Sequence, residues 1–521
     1  MSSMTGVRPL VLALLDGWGV RAERDANAIA LARTPIYDRL AATSPHALLA
    51  ASGDAIGLAP GRAAYAQAAY ATLGAGRVVE QTATAIARRL HGNGAAGLAA
   101  HPTLQRLVAR VRPLGGAIHL VGMVTPSGIA GQQRHLAVLA ALLSHEGVRV
   151  WVHAIMDGQD TRPQSGIEHL AEFLDDIAGA GNATLASVMG RTFGFDDMTD
   201  PAALAATWRA MAEAEAPLAE YPTAYLDQCY RKGLNDDAVP PAIAAGYRGI
   251  RQDDALLLVN LQPNDALPLM SALLDPVTAG LAQRAPSLCG VSSLVRLDRP
   301  LGDTVEALYV NATFDTSFAD VLARGGQTQL VLTETAAESN LWNFARGGPR
   351  SLLPGESVLV ADTPARLEKR PEMASAALTG EVLAALKARD RDVIVVEFAN
   401  AAILGRTGNM RATIAAIEAV DKCLGKIAAQ IEKRGGVLAL CGTYGKAELM
   451  IDPETGGPWR ATTASDVPFV LAGGAPGQHL GNGALADVAP TLLALLGLRA
   501  PPEMTGRSLL AASQAQSRIS A

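Results

Sequence analysis

The chain has 521 residues, 49% of them hydrophobic and 18% charged, with 51 glycines and 29 prolines. This composition excludes disordered and fibrous proteins, and the length allows about two or three folded domains. The 44 basic and 50 acidic residues leave a net charge of −6, and only 4% of the residues are aromatic. Because nucleic-acid binding needs basic surfaces or stacking side chains, we expect no nucleic-acid partner.

The sequence shows no membrane-spanning segment and no paired cysteines. Apolar runs such as 10–15 and 255–261 are well short of the roughly 18 residues that cross a membrane. No signal-peptide cleavage pattern follows the amino terminus. The cysteines lie far apart, which argues against a disulfide framework and a structural zinc site; they are Cys229, Cys289, Cys423 and Cys441. We therefore predict a cytoplasmic protein with no membrane partner.

Short apolar runs alternate with stretches of helical periodicity along the chain. This alternation is typical of α/β proteins with parallel sheets, and two such units are expected. The predicted elements, in chain order, are strand 10–15, strand 118–121, helix 134–144, strand 148–152, a helix from about 167, strand 185–188, strand 393–398, a helix with an apolar face at 414–431, and strand 437–441.

Chemistry in a parallel α/β sheet is expected beyond the carboxyl ends of its strands. Asp16, Asp157 and Arg191 directly follow, or lie close after, predicted strands. The segments after Phe398 and Cys441 occupy the same kind of position. These five places are therefore where candidate functional residues should lie.

Seven sequence strings carry a family resemblance. They are LLDGWG at 14–19, NAIALARTP at 27–35, ASG at 51–53, LGAGRVVEQ at 73–81, DGQDT at 157–161, GRTGN at 405–409 and MIDPETGGP at 450–458. Together, and in this order, they resemble the cofactor-independent (2,3-bisphosphoglycerate-independent) phosphoglycerate mutase family of the alkaline phosphatase superfamily. The resemblance extends across nearly the whole chain.

The resemblance implies an α/β protein of two domains. An alkaline-phosphatase-like parallel-sheet domain would be formed by both chain ends, residues 1–80 and 313–515. An inserted α/β phosphotransferase-like domain would comprise residues 81–312. The last residues, 516–521, are expected to form a frayed tail.

The resemblance also implies an activity, the interconversion of 3- and 2-phosphoglycerate through a phosphoserine with two Mn(II) ions. A serine hydroxyl is a weak nucleophile, and metal ions activate it while neutralising the transferring phosphoryl group. Imidazole and carboxylate ligands are expected for such ions. The site residues of the family can therefore be sought one by one in this sequence.

Most of the family's catalytic positions have changed residue type. The serine position is Ala66, and a nearby histidine position is Tyr70. Only Asp16 keeps a metal-ligating residue type among the ligand positions, which are Asp16, Ala402, Arg406, Thr443, Tyr444 and Thr462. A proton-transfer histidine and a lysine of the family correspond to Ala130 and Ala337.

The substrate-binding positions show the same pattern. Arginines of the family that hold the substrate's anionic groups correspond here to Gln159, Asp197, Gln262 and Asp265. Asp160 and Arg191 are retained as substrate-binding positions, although with Asp157 they could equally form a structural turn or ion pair. Amides and carboxylates cannot replace the bidentate contacts of arginine with an oxyanion.

These substitutions predict a non-catalytic pseudoenzyme with a regulatory, anion-binding or assembly role, and no cofactor. Its partner would be a protein or a small phosphorylated anion. Four cations are candidates for an anion site beside the altered ligand positions, namely Arg62, Arg406, Lys446 and Arg460. Alternatively, Arg406 pairs with Asp16, or that patch is simply solvated. The other functional hypotheses are an active phosphoglycerate mutase, another phosphoester enzyme that uses the same cleft, and a subunit of a larger assembly.

Overall fold

The computed structural model describes residues 7, 9–90, 94–195, 200–281, 288–298, 300–310, 314–346, 351–473 and 479–510. The chain forms two compact units, one of residues 1–81 and 312–521 and one of residues 82–311. The predicted tail, 516–521, and Asp197 lie outside the described residues. Within those residues, no helix has the length and apolar character needed to cross a membrane.

Strands occur in both units. Their bounds are β1 (Leu10–Leu15), β2 (His46–Ala50), β3 (Ala117–Val124), β4 (Arg149–Met156), β5 (Ala183–Gly190), β6 (Ala242–Ile243), β7 (Ala255–Val259), β8 (Gly290–Val295), β9 (Glu306–Tyr309), β10 (Gln329–Glu334), β11 (Glu356–Ala361), β12 (Val393–Phe398), β13 (Val437–Gly442), β14 (Val467–Ala472) and β15 (Gly483–Ala484).

Helices cover the sheets. Their bounds are α1 (Ala28–Leu31), α2 (Pro35–Thr43), α3 (Ala66–Ala75), α4 (Thr82–Leu90), α5 (Gly94–Ala99), α6 (Pro102–Val111), α7 (Gln133–His145), α8 (Gly166–Ile177), α9 (Pro201–Trp208), α10 (Pro222–Arg231), α11 (Leu267–Leu274), α12 (Phe318–Arg324), α13 (Glu338–Arg346), α14 (Ser375–Ala388), α15 (Asn400–Arg406), α16 (Met410–Arg434) and α17 (Val488–Leu495).

The unit formed by the chain ends contains an eight-stranded sheet in the order β11-β10-β12-β1-β13-β14-β2-β15. Strand β1 pairs in parallel with β12 on one side and β13 on the other. All six residues of β1 are buried, as expected for a central strand covered on both faces. The carboxyl ends of β1, β12 and β13 therefore meet at one edge of this sheet.

Helix α16 packs its apolar side against this sheet, as its sequence periodicity predicts. It ends at Gly435, whose φ of 63° lies in the left-handed region that glycine adopts without steric cost. The next strand, β13, begins two residues later. The helix-to-strand connection therefore follows directly from the Gly435-Gly436 pair.

The inserted unit contains a seven-stranded sheet in the order β6-β5-β4-β3-β7-β8-β9. Its pairs are parallel except β5 with β6. Strands β3, β4 and β5 extend beyond the predicted runs 118–121, 148–152 and 185–188, and each has a polar residue in its interior. His119, His153 and Ser187 are fully buried within these three strands. The α/β class with two domains is thus confirmed.

A chain of hydrogen bonds makes these polar residues compatible with the core. His119 Nε2 lies 3.1 Å from Asp254 Oδ2, and His119 Nδ1 lies 3.0 Å from His153 Nε2. His153 Nδ1 lies 2.7 Å from Ser187 Oγ. When both rings are neutral, each nitrogen has a complementary partner if every proton in the chain points toward Asp254. Burial, reinforced by the neighbouring His119, holds the pKa of His153 well below its usual value.

We expect this chain to make the protein less stable in acid. The unfolded His153 binds its proton near pH 6.5, whereas the folded ring resists it, so stability is full above that pH and falls below it. His153→Gln should therefore flatten the decrease in the urea unfolding midpoint between pH 7 and pH 5. His46→Asn, which changes an exposed histidine, is the control and should keep the wild-type slope. Equal slopes in all three proteins would contradict this assignment.

Candidate functional site

Asp16 lies at the carboxyl end of β1, between β12 and β13. Its backbone amide donates to the carbonyl of Phe398 over 3.1 Å. The chain then turns at Gly17, whose φ is 72°. A Cβ atom at Gly17 would lie 2.8 Å from the backbone of Ala402, so helix α15 can approach β1 this closely only because residue 17 is glycine.

The Asp16 carboxylate is buried and surrounded by hydrogen-bond donors. Its Oδ1 accepts from Thr443 Oγ1 over 2.7 Å, and the Tyr70 hydroxyl lies 2.6 Å from the same atom. Its Oδ2 accepts from Asn340 Nδ2 over 3.2 Å. The two candidate ligand positions Asp16 and Thr443 therefore contact each other directly.

A second buried carboxyl group, that of Glu397 on β12, joins this cluster. Asn340 Nδ2 donates to Glu397 Oε1 over 2.8 Å, and Thr333 Oγ1 donates to Oε2. The Tyr70 hydroxyl lies 2.8 Å from Oε1 as well. Glu397 was not among the predicted site residues, although a carboxylate inside the otherwise apolar run VIVVEF is a signal that points to it.

The two carboxyl groups share a proton. The Tyr70 hydroxyl has one proton and can donate to only one of them, so its contact with the other requires a carboxyl proton. Burial, followed by the charge of Asp16, raises the pKa of Glu397 well above its usual value. Burial also raises the pKa of Asp16. One buried negative charge shared by two carboxyl groups is therefore the stable state.

Helix α3 places Tyr70 in this cluster. The helix begins at Ala66, the predicted serine position, whose side chain is a methyl group with no nucleophilic atom. Tyr70 lies four residues later, about one turn along the helix. Ala337 is buried just before α13, the helix that carries Asn340 into the cluster.

The side chains at the remaining implied ligand positions do not form a set of metal ligands with Asp16. Ala402 and Arg406 lie on α15; Ala402 is buried and Arg406 is exposed. Burial raises the pKa of Tyr444, and the nearby charge of Arg406 opposes this shift. The hydrogen-bond partners of Asp16 are thus Tyr70, Thr443 and Asn340, and Arg406 acts on it only through its charge. The Thr462 hydroxyl is buried without a hydrogen-bond partner.

Three of the four candidate cations, Arg406, Lys446 and Arg460, lie near the turn of the chain at residues 405–408. The Lys446 stem packs against Gly405, and the Arg460 side chain packs against Gly408. Lys446 Nζ donates to the carbonyl of Trp459 over 3.2 Å, although the side chain is only 1% exposed. Arg406 lies between the two glycines in sequence. Arg62 is exposed in the loop before α3, and its place beside the other three stays a prediction.

The inserted unit brings Asp157, Asp160 and Arg191 together. Arg191 Nη1 lies 3.1 Å from Asp157 Oδ1 and 3.4 Å from Asp160 Oδ2. Asp265 also pairs with Arg191, through Nη2 and over 3.4 Å. Sequence reasoning identified Asp265 only as the replacement of an arginine and missed this pairing. Ala130 is buried, and its carbonyl accepts from the amides of Leu261 and Gln262.

The hydrogen bonds around Glu397 lead to a prediction about stability. Glu397→Gln keeps an oxygen for Asn340 and Tyr70 and offers an amide to the Thr333 oxygen, so the urea unfolding midpoint should barely change. Glu397→Leu leaves several buried polar groups unpaired and should cost about 2–4 kcal/mol. Glu381→Gln, on the exposed side of α14, is the control. Equal losses for the two Glu397 variants would contradict the proposed network.

Comparisons with known proteins agree with this architecture. The model of the metalloenzyme superfamily matches residues 8–500. The chain is 35% identical to a 2,3-bisphosphoglycerate-independent phosphoglycerate mutase of Gluconobacter oxydans, over 98% of this chain and 99% of the relative. A protein of the same name from Rhodopseudomonas palustris is 33% identical, over 97% of this chain and 100% of the relative.

A solved structure supports the same fold. Phosphoglycerate mutase of Leishmania mexicana, determined at low cobalt concentration, superposes with a TM-score of 0.88. The match covers 98% of this chain and 99% of the other, at 23% sequence identity. At that identity the likeness shows the fold alone.

The expectation that this protein needs no cofactor is wrong, because the model of the metalloenzyme superfamily matches residues 8–500, nearly the whole chain. The side chains at the implied ligand positions nevertheless do not fit two manganese ions. They offer one carboxylate, Asp16, whose oxygens already accept hydrogen bonds. In the part of the chain that the structure describes, no three His, Cys, Asp or Glu side chains are grouped to hold a metal.

The resemblance in the sequence, the fold and the similarity to the relatives all indicate the same family. The residues at the site nevertheless differ from those that the resemblance implies. The chain belongs to the 2,3-bisphosphoglycerate-independent phosphoglycerate mutase family, within the metalloenzyme superfamily.

Proposed function

We propose that this protein uses the mutase fold for binding and does not interconvert phosphoglycerates. The observation that carries this proposal is the hydrogen-bonded cluster of Asp16, Tyr70 and Glu397, which occupies the edge of the sheet where the resemblance places the reaction. Function depends on the residues of a site and not on the fold that holds them. The pseudoenzyme hypothesis therefore rests on this cluster.

The first argument concerns the nucleophile. Ala66 cannot form a phosphoryl ester, and the hydroxyl group that the same helix brings into the cluster is that of Tyr70. Burial and the adjacent carboxyl groups raise the pKa of Tyr70 well above its usual value. A buried phenol that is hydrogen-bonded to carboxyl groups is neither deprotonated nor accessible. It is therefore a poor acceptor for a phosphoryl group.

The second argument concerns the substrate. Phosphoglycerate carries a carboxylate and a phosphate, and each needs cationic partners in a protein site. In the inserted unit, Arg191 contacts three aspartates. A guanidinium that is already paired with carboxylates has little charge and few hydrogen-bond donors left to bind an incoming anion. The retained substrate position thus serves an internal ion-pair network.

The proposed ligand is a protein partner or a small phosphorylated anion. For the anion, the candidate site is the group of Arg62, Arg406, Lys446 and Arg460. Support comes from the packing of Lys446 and Arg460 against Gly405 and Gly408, on either side of Arg406 in the sequence. A partly buried group of cations binds phosphate more strongly than a fully solvated one.

The first test is a coupled assay for conversion of 3-phosphoglycerate to 2-phosphoglycerate with added manganese. We expect turnover at the background rate. Ala66→Ser should not restore it, because a serine hydroxyl alone is a weak nucleophile and the hydrogen-bonded cluster remains. Elemental analysis of the same sample reports how much metal is bound. Turnover well above background by the wild-type protein would contradict the proposal.

A second test concerns the anion. Arg406→Ala should weaken binding of inorganic phosphate in calorimetry by about tenfold, since it removes a charged hydrogen-bond donor. The control is Arg411→Ala, which removes an exposed arginine near the start of α16. Phosphate affinity that is the same in both variants and in the wild type would exclude this group of cations as the site.

An active phosphoglycerate mutase is the second candidate function. The names of the relatives favour it over a pseudoenzyme, since a relative that carries this name is 35% identical over 98% of the chain. Another phosphoester enzyme that uses the same cleft is a variant of this candidate. Turnover together with bound metal in the coupled assay would establish it, and would require catalytic groups other than Ala66.

A further inference from the structure

Four charged side chains meet beyond the carboxyl ends of three strands in the inserted unit. Asp157 follows β4 and Arg191 follows β5. Asp160 lies in the turn after Asp157, and Asp265 lies in a short 3-10 turn between β7 and α11. These residues, named here the Arg191 cluster, come from three separate connections of one sheet.

Both terminal nitrogens of Arg191 are engaged within the cluster. Nη1 contacts Asp157 and Asp160, and Nη2 contacts Asp265. The guanidinium recognises carboxylates and phosphates through the two prongs of its planar fork. Here each prong already faces a carboxylate. An anionic ligand that approaches the same two nitrogens must therefore compete with these carboxylates.

The cluster presents negative charge toward solvent. Three carboxylates and one guanidinium make up the cluster. The Arg191 side chain is 8% exposed and that of Asp157 1%, whereas those of Asp160 and Asp265 are 18% and 27% exposed. A ligand that approaches from solvent therefore meets carboxylates before it meets the guanidinium.

Asp157 and Asp265 have different roles in this arrangement. Asp157 Oδ2 accepts from Thr125 Oγ1 over 2.7 Å, and Oδ1 accepts from the amides of Gln159 and Asp160 over 3.2 and 3.1 Å. These hydrogen bonds stabilise the turn that follows Asp157. Asp265 is the most exposed of the three carboxylates and faces the other prong of the guanidinium. Asp265 can therefore be changed with the least disturbance to the local backbone.

We propose that Asp265 determines the charge of the ligands that the inserted unit accepts. By holding Nη2 of Arg191, it excludes carboxylate and phosphate ligands from the cluster and favours groups that donate hydrogen bonds, such as hydroxyl or ammonium groups. Like charges brought together at a binding site cost several kcal/mol and are a common means of rejecting a ligand. This inference rests on the proposed function, because it explains how binding of phosphoglycerate is lost.

The experiment compares binding of 3-phosphoglycerate to the full-length wild type and to Asp265→Asn by calorimetry. The asparagine has nearly the same shape but removes the negative charge that lies beside Nη2 of Arg191. We expect affinity to rise at least about tenfold. Asp303→Asn is the control for net charge, since it removes a half-exposed carboxylate elsewhere in the same unit; its affinity should equal that of the wild type.

A double variant assigns the gain to Arg191. In Asp265→Asn with Arg191→Lys, the positive charge remains but the fork is lost, so most of the gain should disappear. Unchanged affinity in Asp265→Asn, with a native circular dichroism spectrum, would overturn the inference. So would an equal gain in Asp303→Asn. The proposed function fails by a different result, turnover in the coupled assay, so the two failures can be told apart.

Discussion

A single hydroxyl group between two buried carboxyl groups sets the chemistry of the chain-end unit. Two ionised carboxylates cannot coexist a few ångströms apart in a protein interior, so one of Asp16 and Glu397 must hold a proton. The Tyr70 hydroxyl contacts both carboxyl groups. Their oxygens also accept hydrogen bonds from Asn340, Thr443 and Thr333. Strands β1, β10, β12 and β13 and helices α3 and α13 are thus tied to one point at the sheet edge.

The sequence predicted the architecture because apolar periodicity and strand-end polar residues are local signals. Asp16 and Asp157 lie at strand ends, as expected, and Asp160 lies close to Arg191. The cluster around Asp16 was not foreseen, because Tyr70 is 54 residues from Asp16 along the chain and Glu397 is another 327 residues beyond Tyr70. Only the folded sheet brings them together, and no sequence periodicity encodes which side chains meet there.

The sequence indicated which residues stand at the site positions that the resemblance implies, but not what these residues contact in the fold. Asp265 was identified as a lost arginine, whereas in the fold it is a partner of Arg191. Thr443 was identified as a lost ligand, whereas it donates to Asp16. Substituted side chains in a packed interior must find new hydrogen-bond partners, since an unpaired buried polar group costs about 1–3 kcal/mol. Thr443 and Asp265 have found such partners, whereas the buried Thr462 hydroxyl has none.

The bridging position of Tyr70 has a consequence for substitutions in the cluster. Replacing any one member would break hydrogen bonds that the other members share. Effects of residues in one network are not additive, so the cost of one change depends on which others have already been made. The cluster therefore responds to mutation as a single unit, and compatible residues must be exchanged together.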